Sequence, residues 1–510
     1  MQKEIIAAID VGSHALRMKL GELRANGDFK EIESFRKVAA LGHDTFTNSK
    51  ISFESVDKVC TILKAFNNTM NDYSVKNYKA LATSAIREAS NKEYIIDQIR
   101  LMTGIEVEVI DNSEEQYLTH KAIKYKMENY EKLVEEGAVI LVVGAGSIQI
   151  TLFKEGRLIS SQNVKIGALR IKEVIGCLEN NTMDFRRVLD EYINVNLEGL
   201  DFFKGDGNFK HFIAVGGEIG MVKKLIGINE AQAYEVITIQ QFEKLFNKII
   251  NKNTEELLLE YDIKRERAEV LVPSMMLFYK FLKHTKSQDL LIPNISLVDG
   301  IIREIFEELN KLSKKDKANA DIITNVRIIA EKFQYNKAHI ENVEENAIIL
   351  FDKLKKMHGL ENEKILLRCA AILHDIGKFV GLDQNYLHAY NIIRSLEIFG
   401  LSKEQMEVIA TIVKYHGSDM PFGNDSSLSE KNRVMASKLI AILKLANSLD
   451  KSHKQKIVIQ TVKLKERELQ IKAESQEKTV LEEWDFKIKA VFFQEVFGVT
   501  PVLRIKKEIE

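Results

Sequence analysis

Short apolar runs that alternate with helical periodicity open the chain. The first of them, EIIAAID over 4–10, ends at Gly12 and Ser13, and MKLGEL after this turn predicts the second strand of a hairpin. Strands that alternate with helices are typical of an α/β fold, so we predict an α/β lobe over residues 1–125. The other elements predicted in this lobe are a helix over 54–70, a strand over 79–83, a helix from Ser84 closed by Gly104, the strand EVEVID and the helix SEEQYLTHKAIKYKM.

The same order of elements starts again after Gly137. AVILVVGAGSIQITLF has the pattern of a strand, a glycine turn and a strand, and HFIAVGGEIG over 211–220 predicts a further strand that ends in two glycines. ISLVDGIIREIFEEL over 295–309 predicts a strand that turns into a helix. The repeated start indicates a second, related lobe over residues 126–308.

Charged amphipathic helices replace the strands from about residue 310 onward. We therefore predict an all-helical domain over residues 309–455. Beyond it, KIVIQTVKLKERELQIKA alternates apolar and polar positions, as half-buried strands do, and a helix near VFFQEVFG and a last strand VLRIK follow. These segments predict a small α/β cap over residues 456–510. The chain contains only four prolines and no low-complexity tract, so we expect its domains to pack closely.

The charge balance restricts the classes of partner. Lys and Arg number 73 and Asp and Glu 74, a net charge of −1, so no global field attracts nucleic acid or an anionic membrane, and neither is expected as a partner. The three cysteines, Cys60, Cys177 and Cys369, have no CxxC spacing, which fits a reducing compartment. The apolar run at 4–10 is shorter than a signal h-region and no window approaches eighteen uncharged apolar residues, so we expect a cytoplasmic protein.

Three glycine turns have the composition of phosphate-binding loops. Backbone N–H groups beside glycine can approach a phosphate, a serine adds a hydroxyl donor, and an aspartate can hold a divalent cation. One such turn is typical of an ordinary hairpin, but three of them in two related lobes predict a phosphate-binding cleft. The candidate residues are Asp10, Gly12 and Ser13 in the first turn, Gly144, Gly146 and Ser147 in the second, and Gly216 and Gly217 in the third.

The segments around these turns resemble the exopolyphosphatase/guanosine pentaphosphate phosphohydrolase (Ppx/GppA) family, which belongs to the actin-like superfamily of ribonuclease H-like lobes. The resemblance covers about residues 1–305. It implies hydrolysis of terminal phosphoanhydride bonds of inorganic polyphosphate or of a guanosine pentaphosphate-type nucleotide, with Mg²⁺, in a homodimer. Its motifs here are Ala8–Leu16, TSAIREASN around Arg87, VEVIDNSEEQYL around Glu115, VVGAGS and AVGGE.

The resemblance also implies roles for two side chains. Glu115 falls where the family has the glutamate that activates the attacking water, and Arg87 falls where an arginine contacts phosphate. The residues alone also allow Glu115 to be a solvated carboxylate at a helix start and Arg87 to be an exposed helical arginine.

Four positions depart from the family pattern. Val142 replaces an aspartate, and an apolar side chain can neither bind Mg²⁺ nor orient water. Gln149 replaces an acidic residue, Ala145 a glycine and His14 an asparagine. We therefore expect slow turnover in this cleft.

Histidine and aspartate recur in the helical region. His374 and Asp375 end an apolar helix, His339 opens the preceding helix and Asp450 lies late in LANSLD. This order resembles the HD-domain phosphohydrolase superfamily, in which these four positions bind metal. Mixed nitrogen and oxygen ligands suit Mn²⁺, Fe²⁺, Co²⁺ or Mg²⁺ better than a thiolate zinc site. His388 and His416 are further candidates for a second ion or a phosphate contact.

Two alternatives remain open from the sequence. In one, the HD domain is the catalytic centre and the first half only senses polyphosphate or nucleotide. In the other, the protein is a regulatory binding protein in which neither site is active.

Overall fold

A computed structural model describes residues 4–179, 181–182, 184–216, 218–228, 233–310, 315–418, 422 and 428–507. The chain divides into two compact units, Met1–Asp316 and Lys317–Glu510. The first unit has two α/β lobes, and the second is mostly helical. Among the described residues, no helix is both long enough and apolar enough to cross a bilayer.

Lobe I is a five-stranded sheet flanked by helices. Its strands are β1 (Glu4–Val11), β2 (Ala15–Leu23), β3 (Phe29–Val38), β4 (Asn77–Ala82) and β5 (Glu108–Val109), and its helices are α1 (Leu41–Asn48), α2 (Phe53–Asp72), α3 (Ser84–Glu88), α4 (Lys92–Thr103) and α5 (Asn112–Lys126). The strand order is β3-β2-β1-β4-β5, with β1 antiparallel to β2 and parallel to β4.

Two predicted elements of lobe I differ in the structure. The single helix predicted from Ser84 is interrupted between α3 and α4, because the Asn91 side chain exchanges hydrogen bonds with the backbone of Ile51, at 3.1 and 2.9 Å. Gly104 ends α4 with φ of 72°, as predicted. The strand EVEVID is shorter than predicted, since only β5 pairs with β4.

Lobe II repeats the hairpin and the parallel strand of lobe I in a six-stranded sheet. The strand order is β10-β11-β9-β6-β7-β8. Its strands are β6 (Ala138–Val143), β7 (Ile148–Lys154), β8 (Arg157–Val164), β9 (His211–Gly216), β10 (Tyr234–Thr238) and β11 (Asp289–Pro293), and its helices are α6 (Tyr130–Glu136), α7 (Ala168–Ile175), a 3₁₀ turn (Gly176–Leu178), α8 (Phe185–Leu197), α9 (Asp201–Lys204), α10 (Ile219–Ile226), α11 (Ile239–Ile249), α12 (Thr254–Tyr261) and α13 (Arg265–His284).

The helix α14 (Leu297–Leu309) returns to lobe I. Its apolar face, with Val298, Ile301 and Ile302, packs against Ile6 and Leu118 of the first lobe. Part of the segment predicted as lobe II therefore covers the first sheet. The strand predicted before this helix is absent from residues 294–296, because Ser296 and Asp299 form a capping box that starts the helix there.

The second unit has one continuous apolar core. Leu469, Ile471 and Phe493 of the predicted cap pack in the same core as Ile340 and Leu373 of the helices, so the cap is not a separate unit. Its elements are α15 (Lys315–Glu331), α16 (Lys337–Lys353), α17 (Lys355–His358), α18 (Lys364–Leu373), a 3₁₀ turn (Ile376–Phe379), α19 (Asn385–Ser395), α20 (Lys403–Gly417), α21 (Glu430–Ser448), β12 (Val458–Lys465), β13 (Glu468–Ser475), α22 (Val480–Phe497) and β14 (Thr500–Lys507).

Candidate functional site

A cavity of about 380 Å³ lies where β1, β6 and β9 end in their glycine turns. The parallel pairing of β6 with β9, and the equivalent place of β1 in lobe I, bring the three turns to one opening. Gly217 lies outside the described residues. The predicted phosphate-loop residues that line the cavity are Asp10, Gly12, Ser13, Gly144, Gly146, Ser147 and Gly216.

The first turn is fixed by hydrogen bonds to the start of α3. Ser13 Oγ lies 2.7 Å from Ser84 Oγ and accepts a hydrogen bond from the backbone N–H of Ala85 at 2.9 Å. Both serine side chains line the cavity. The turn is therefore held rigidly, which favours binding of an anion without rearrangement.

The third turn requires glycine for steric reasons. Gly216 has φ of 142°, and a Cβ at this position would lie 2.3 Å from the carbonyl oxygen of Val143. In the second turn, a Cβ on Gly146 would lie 2.7 Å from both Ser84 Oγ and the ring of Phe46. The glycines therefore allow the loops to approach each other closely.

Glu115 lines the same cavity from the first turn of α5. Asp111 and Glu114 form a capping box that fixes the start of this helix. Arg87 Nη1 donates to Glu115 Oε2 at 3.1 Å and to the carbonyl of Ile110 at 2.8 Å. Arg87 is not among the residues that line the cavity, and its contact with phosphate stays a prediction.

Asp10 is nearly buried at the end of β1, where Arg17 Nη1 donates to its Oδ2 at 3.1 Å. Burial raises the pKa of Asp10 to about 6, although Arg17 opposes this shift and Glu115 adds to it. The carboxyl group therefore titrates just below neutral pH.

The cavity wall is rich in basic side chains that the sequence did not single out. Arg17 and Arg36 face each other across β2 and β3, an arrangement of like charges that costs stability unless an anion is bound. Lys223 lines the cavity at 3% exposure and makes no ion pair with any described residue. The basic residues in the wall are Arg17, Arg36, Lys223, Lys224 and Arg267.

The second unit contains a separate group of candidate ligands. His339, His374 and Asp375 each offer a ligand atom, and these atoms lie within 4.8 Å of one another. Within the described part of the chain, this is the only group of three or more His, Cys, Asp or Glu residues so arranged. All three residues are buried, and Lys378 Nζ lies 2.5 Å from Asp375 Oδ2.

The hydrogen bonds of this group determine which imidazole nitrogen is free. His374 Nδ1 lies 2.7 Å from the carbonyl oxygen of Ala371, which can only accept, so Nδ1 carries the proton. His339 Nδ1 is held in the same way by the carboxylate of Asp450 at 2.9 Å. The two Nε2 atoms then face each other at 3.3 Å. Two opposed nitrogen lone pairs are stabilised by a cation, and this spacing fits two imidazole ligands of one metal ion.

The other predicted ligands have different positions. Asp450 is not within the three-residue group; it accepts hydrogen bonds from His339 Nδ1 and from Gln455, as a residue that orients a ligand does. His416 packs its ring 4.9 Å from that of His374 and donates from Nδ1 to the carbonyl of Val413. His388 lies on α19 outside the group.

A family comparison identifies the chain. The Ppx/GppA phosphatase family matches residues 24–309, and domain III of the same phosphatases matches residues 323–490. The first match alone spans more than half of the chain. The chain belongs to the Ppx/GppA phosphatase family. As a member of this family it is a hydrolase, so the alternative of a binding protein without catalysis is not supported.

One relative is similar to this chain in length, and two shorter solved structures are similar to it in fold. A guanosine-5'-triphosphate,3'-diphosphate pyrophosphatase of Pseudoalteromonas translucida is 21% identical over 448 residues, covering 87% of each chain. A crystal structure of an exopolyphosphatase from Cytophaga hutchinsonii superposes with a TM-score of 0.53, at 21% identity, over 60% of this chain and 98% of that one. The Aquifex aeolicus family member gives 0.50 at 20% identity, over 61% and 99%. These structures support the actin-like α/β fold with two lobes.

Enzymes of the Ppx/GppA family generally depend on a divalent metal, and the cleft residues fit such an ion only in part. Asp10 and Glu115 offer oxygen ligands, which Mg²⁺ prefers, but each is already paired with an arginine. Mg²⁺ is commonly held by one or two carboxylates together with the phosphates of the substrate. The donor set therefore fits an ion that enters with the substrate.

The sequence did not predict the role of Arg170, because no motif around it distinguishes it from an exposed arginine. Arg170 donates from Nε to the carbonyl of Gly146 at 2.7 Å and from Nη2 to both carboxylate oxygens of Glu88, at 2.9 and 2.8 Å. It thereby ties the second glycine turn to lobe I. The ion pair of Asp10 with Arg17 could have been predicted from the sequence, since the predicted hairpin places these two positions opposite each other.

Proposed function

We propose that the protein releases terminal phosphate from inorganic polyphosphate or guanosine pentaphosphate-type nucleotides in the cavity between the two lobes. The observation that supports this most is the position of Glu115, which lines the same cavity as the glycine turns and is backed by Arg87. A carboxylate held in this way can orient a water molecule toward a phosphate bound by the turns.

In the proposed reaction, backbone N–H groups and the hydroxyls of Ser13 and Ser147 bind the oxygens of the terminal phosphate. Glu115 orients a water molecule and takes its proton as the water oxygen bonds to phosphorus and the bridging P–O bond breaks. Mg²⁺ bound with the substrate would neutralise charge on the phosphates. Asp10 and Glu115 are the carboxylates that would offer it oxygen ligands. Arg17, Lys223 and Arg267 supply fixed positive charge.

Phosphate release from polyphosphate and from a guanosine pentaphosphate-type nucleotide, measured with Mg²⁺, tests this proposal. Glu115→Gln should lower the rate by about 10²-fold or more, since positioned general bases contribute about 10²–10⁴-fold. Glu114→Gln is the matched control, because glutamine preserves the capping box on the same helical turn. Equal rates in wild type and Glu115→Gln would contradict the proposal.

A second candidate function is favoured by the group in the helical unit. His339, His374 and Asp375 would hold a divalent ion such as Mn²⁺, Fe²⁺ or Co²⁺ in the manner of an HD-domain phosphohydrolase. When bound there, such an ion would supply the activation of water for attack on a phosphate ester. In this alternative the cleft in the first unit binds polyphosphate or nucleotide as a signal. A homodimer and a cytoplasmic location remain predictions from the sequence.

A further inference from the structure

One carboxylate on the cavity wall has no role in the proposed reaction. Glu218 directly precedes α10 and is 8% exposed, and it lines the cavity. Its Oε2 atom is buried without a hydrogen-bond partner among the described residues. A buried acceptor without a donor costs free energy, so this oxygen gains a hydrogen bond only from what fills the cavity.

The surroundings of Glu218 sharpen this observation. Arg17, Arg36 and Arg267 contribute positive charge around it, yet none of them lies within 4 Å of its carboxylate as an ion pair. The wall therefore combines fixed positive charges, which attract an anion, with the Glu218 carboxylate, which repels one. A ligand that satisfies both carries phosphates together with N–H or O–H donors.

Inorganic polyphosphate and a nucleotide differ in this respect. Fully ionised inorganic polyphosphate offers acceptor oxygens only, whereas a guanosine nucleotide also carries ribose hydroxyls and the N–H groups of guanine. A site built to hydrogen-bond such a donor discriminates strongly against a ligand that lacks it, because its own polar group is then left unpaired.

We infer that Glu218 is a specificity-determining residue that accepts a hydrogen bond from the nucleoside part of the substrate and so selects a phosphorylated nucleoside over inorganic polyphosphate. This inference rests on the proposed function of the cleft. It assigns Glu218 no part in the cleavage step, so its loss should change binding rather than the chemistry.

Binding by the full chain to two matched probes tests the inference. GTP and inorganic tripolyphosphate have the same number of phosphates and differ by the nucleoside. Calorimetry at pH 8 with EDTA measures both dissociation constants without turnover and without metal. We expect wild type to bind GTP at least tenfold more tightly than tripolyphosphate. Glu218→Leu should reduce this ratio at least tenfold by weakening GTP, and Glu218→Gln should strengthen tripolyphosphate by removing the repelling charge.

A surface variant serves as the matched control for the loss of charge. Glu191→Gln removes the same charge from the exposed surface of α8 and should leave both constants unchanged.

Equal weakening of both probes in Glu218→Leu and Glu218→Gln, both folded by circular dichroism, would overturn the inference and assign Glu218 to positioning the arginines. Restoration of a tenfold GTP preference in Glu218→Leu by Mg²⁺ would also overturn it. Binding of tripolyphosphate without preference for GTP would overturn it and leave the proposed function intact, whereas binding of neither probe, both in EDTA and with Mg²⁺, would overturn the proposed function.

Discussion

Arg87 Nη1 lies 3.1 Å from Glu115 Oε2, and Glu115 lines the cavity whereas Arg87 does not. Arg87 also donates to the carbonyl of Ile110 and, at 2.5 Å, to Asn112 Oδ1. Its guanidinium is therefore fixed by three partners near the start of α5. The pair orients the one acidic group that the proposed reaction needs as a base.

This relationship predicts a kinetic effect of Arg87→Ala. Because Arg87 does not line the cavity, its loss should lower kcat by about 10–100-fold through misplacement of Glu115 while KM changes less than about threefold. Steady-state phosphate release from polyphosphate measures both constants. Arg100→Ala, an exposed arginine of α4, is the control. A large rise in KM with unchanged kcat would instead indicate a direct phosphate contact, as the family resemblance implied.

The third glycine turn predicts a difference between two neighbouring substitutions. Gly216→Ala should destabilise the protein by about 2 kcal/mol or more, because the new Cβ would lie 2.3 Å from the carbonyl oxygen of Val143 in a backbone conformation with φ of 142°. Gly220→Ala, in α10, meets open space and should be neutral or stabilising. Urea unfolding of the two variants checks this, and equal midpoints would be inconsistent with the structure of the turn.

Burial of Asp10 predicts a pH-dependent change in stability. Its folded-state pKa of about 6 lies above that of an unfolded aspartate, so the folded state holds the proton more tightly, and this contribution to stability is lost as pH rises from 4 to 6. Asp10→Asn removes the effect. Its free energy of unfolding relative to wild type should therefore increase between pH 4.5 and pH 7.5, by up to about 2–3 kcal/mol.

Urea unfolding at both pH values measures this difference. Asp57→Asn, an exposed position of α2, controls for the loss of one carboxylate. A relative free energy that decreases with pH would show that Asp10 is stabilised as an anion in the folded state.

The geometry around His374 predicts metal content. Wild type should purify with about one equivalent of a divalent transition ion, and His374→Ala and Asp375→Ala should lose it. Asp450→Asn should retain less metal, because groups that orient a histidine ligand typically contribute about 10–100-fold to affinity. His388→Ala is the matched control and should keep the ion. Elemental analysis decides this, and equal metal in all variants would show that these residues do not hold it.

The alternation of apolar runs with glycine turns was sufficient to predict the two lobes and the glycine-turn residues that line the cleft, because it depends on local periodicity. The boundaries were less predictable. Packing of α14 on lobe I and the shared core of Ile471 with Leu373 depend on contacts between distant segments, which no window of sequence contains. The sequence did not predict that Asp450 orients His339 instead of joining the group of His339, His374 and Asp375. A hydrogen bond between these two distant residues determines this arrangement.

The basic wall was also hidden from the sequence. Arg36, Lys223 and Arg267 lie on three different elements, and nothing in their neighbours distinguishes them from exposed basic residues. The departure at Val142, by contrast, could be seen in the sequence: this half-buried side chain lines the cavity at a position where the family resemblance implies a carboxylate. We therefore still expect turnover to be slow.

Phosphate release from polyphosphate by Glu115→Gln and Asp375→Ala, compared with wild type under the same Mg²⁺ concentration, tests the proposed catalytic centre most directly. Glu115 lines the cleft of the first unit, and Asp375 belongs to the group of candidate metal ligands in the second unit. If the cleft is the catalytic centre, Glu115→Gln should lose about 10²-fold or more in rate, and Asp375→Ala should stay within about twofold of wild type. Loss of activity in Asp375→Ala with full activity in Glu115→Gln would contradict the proposed function and assign the chemistry to the helical unit.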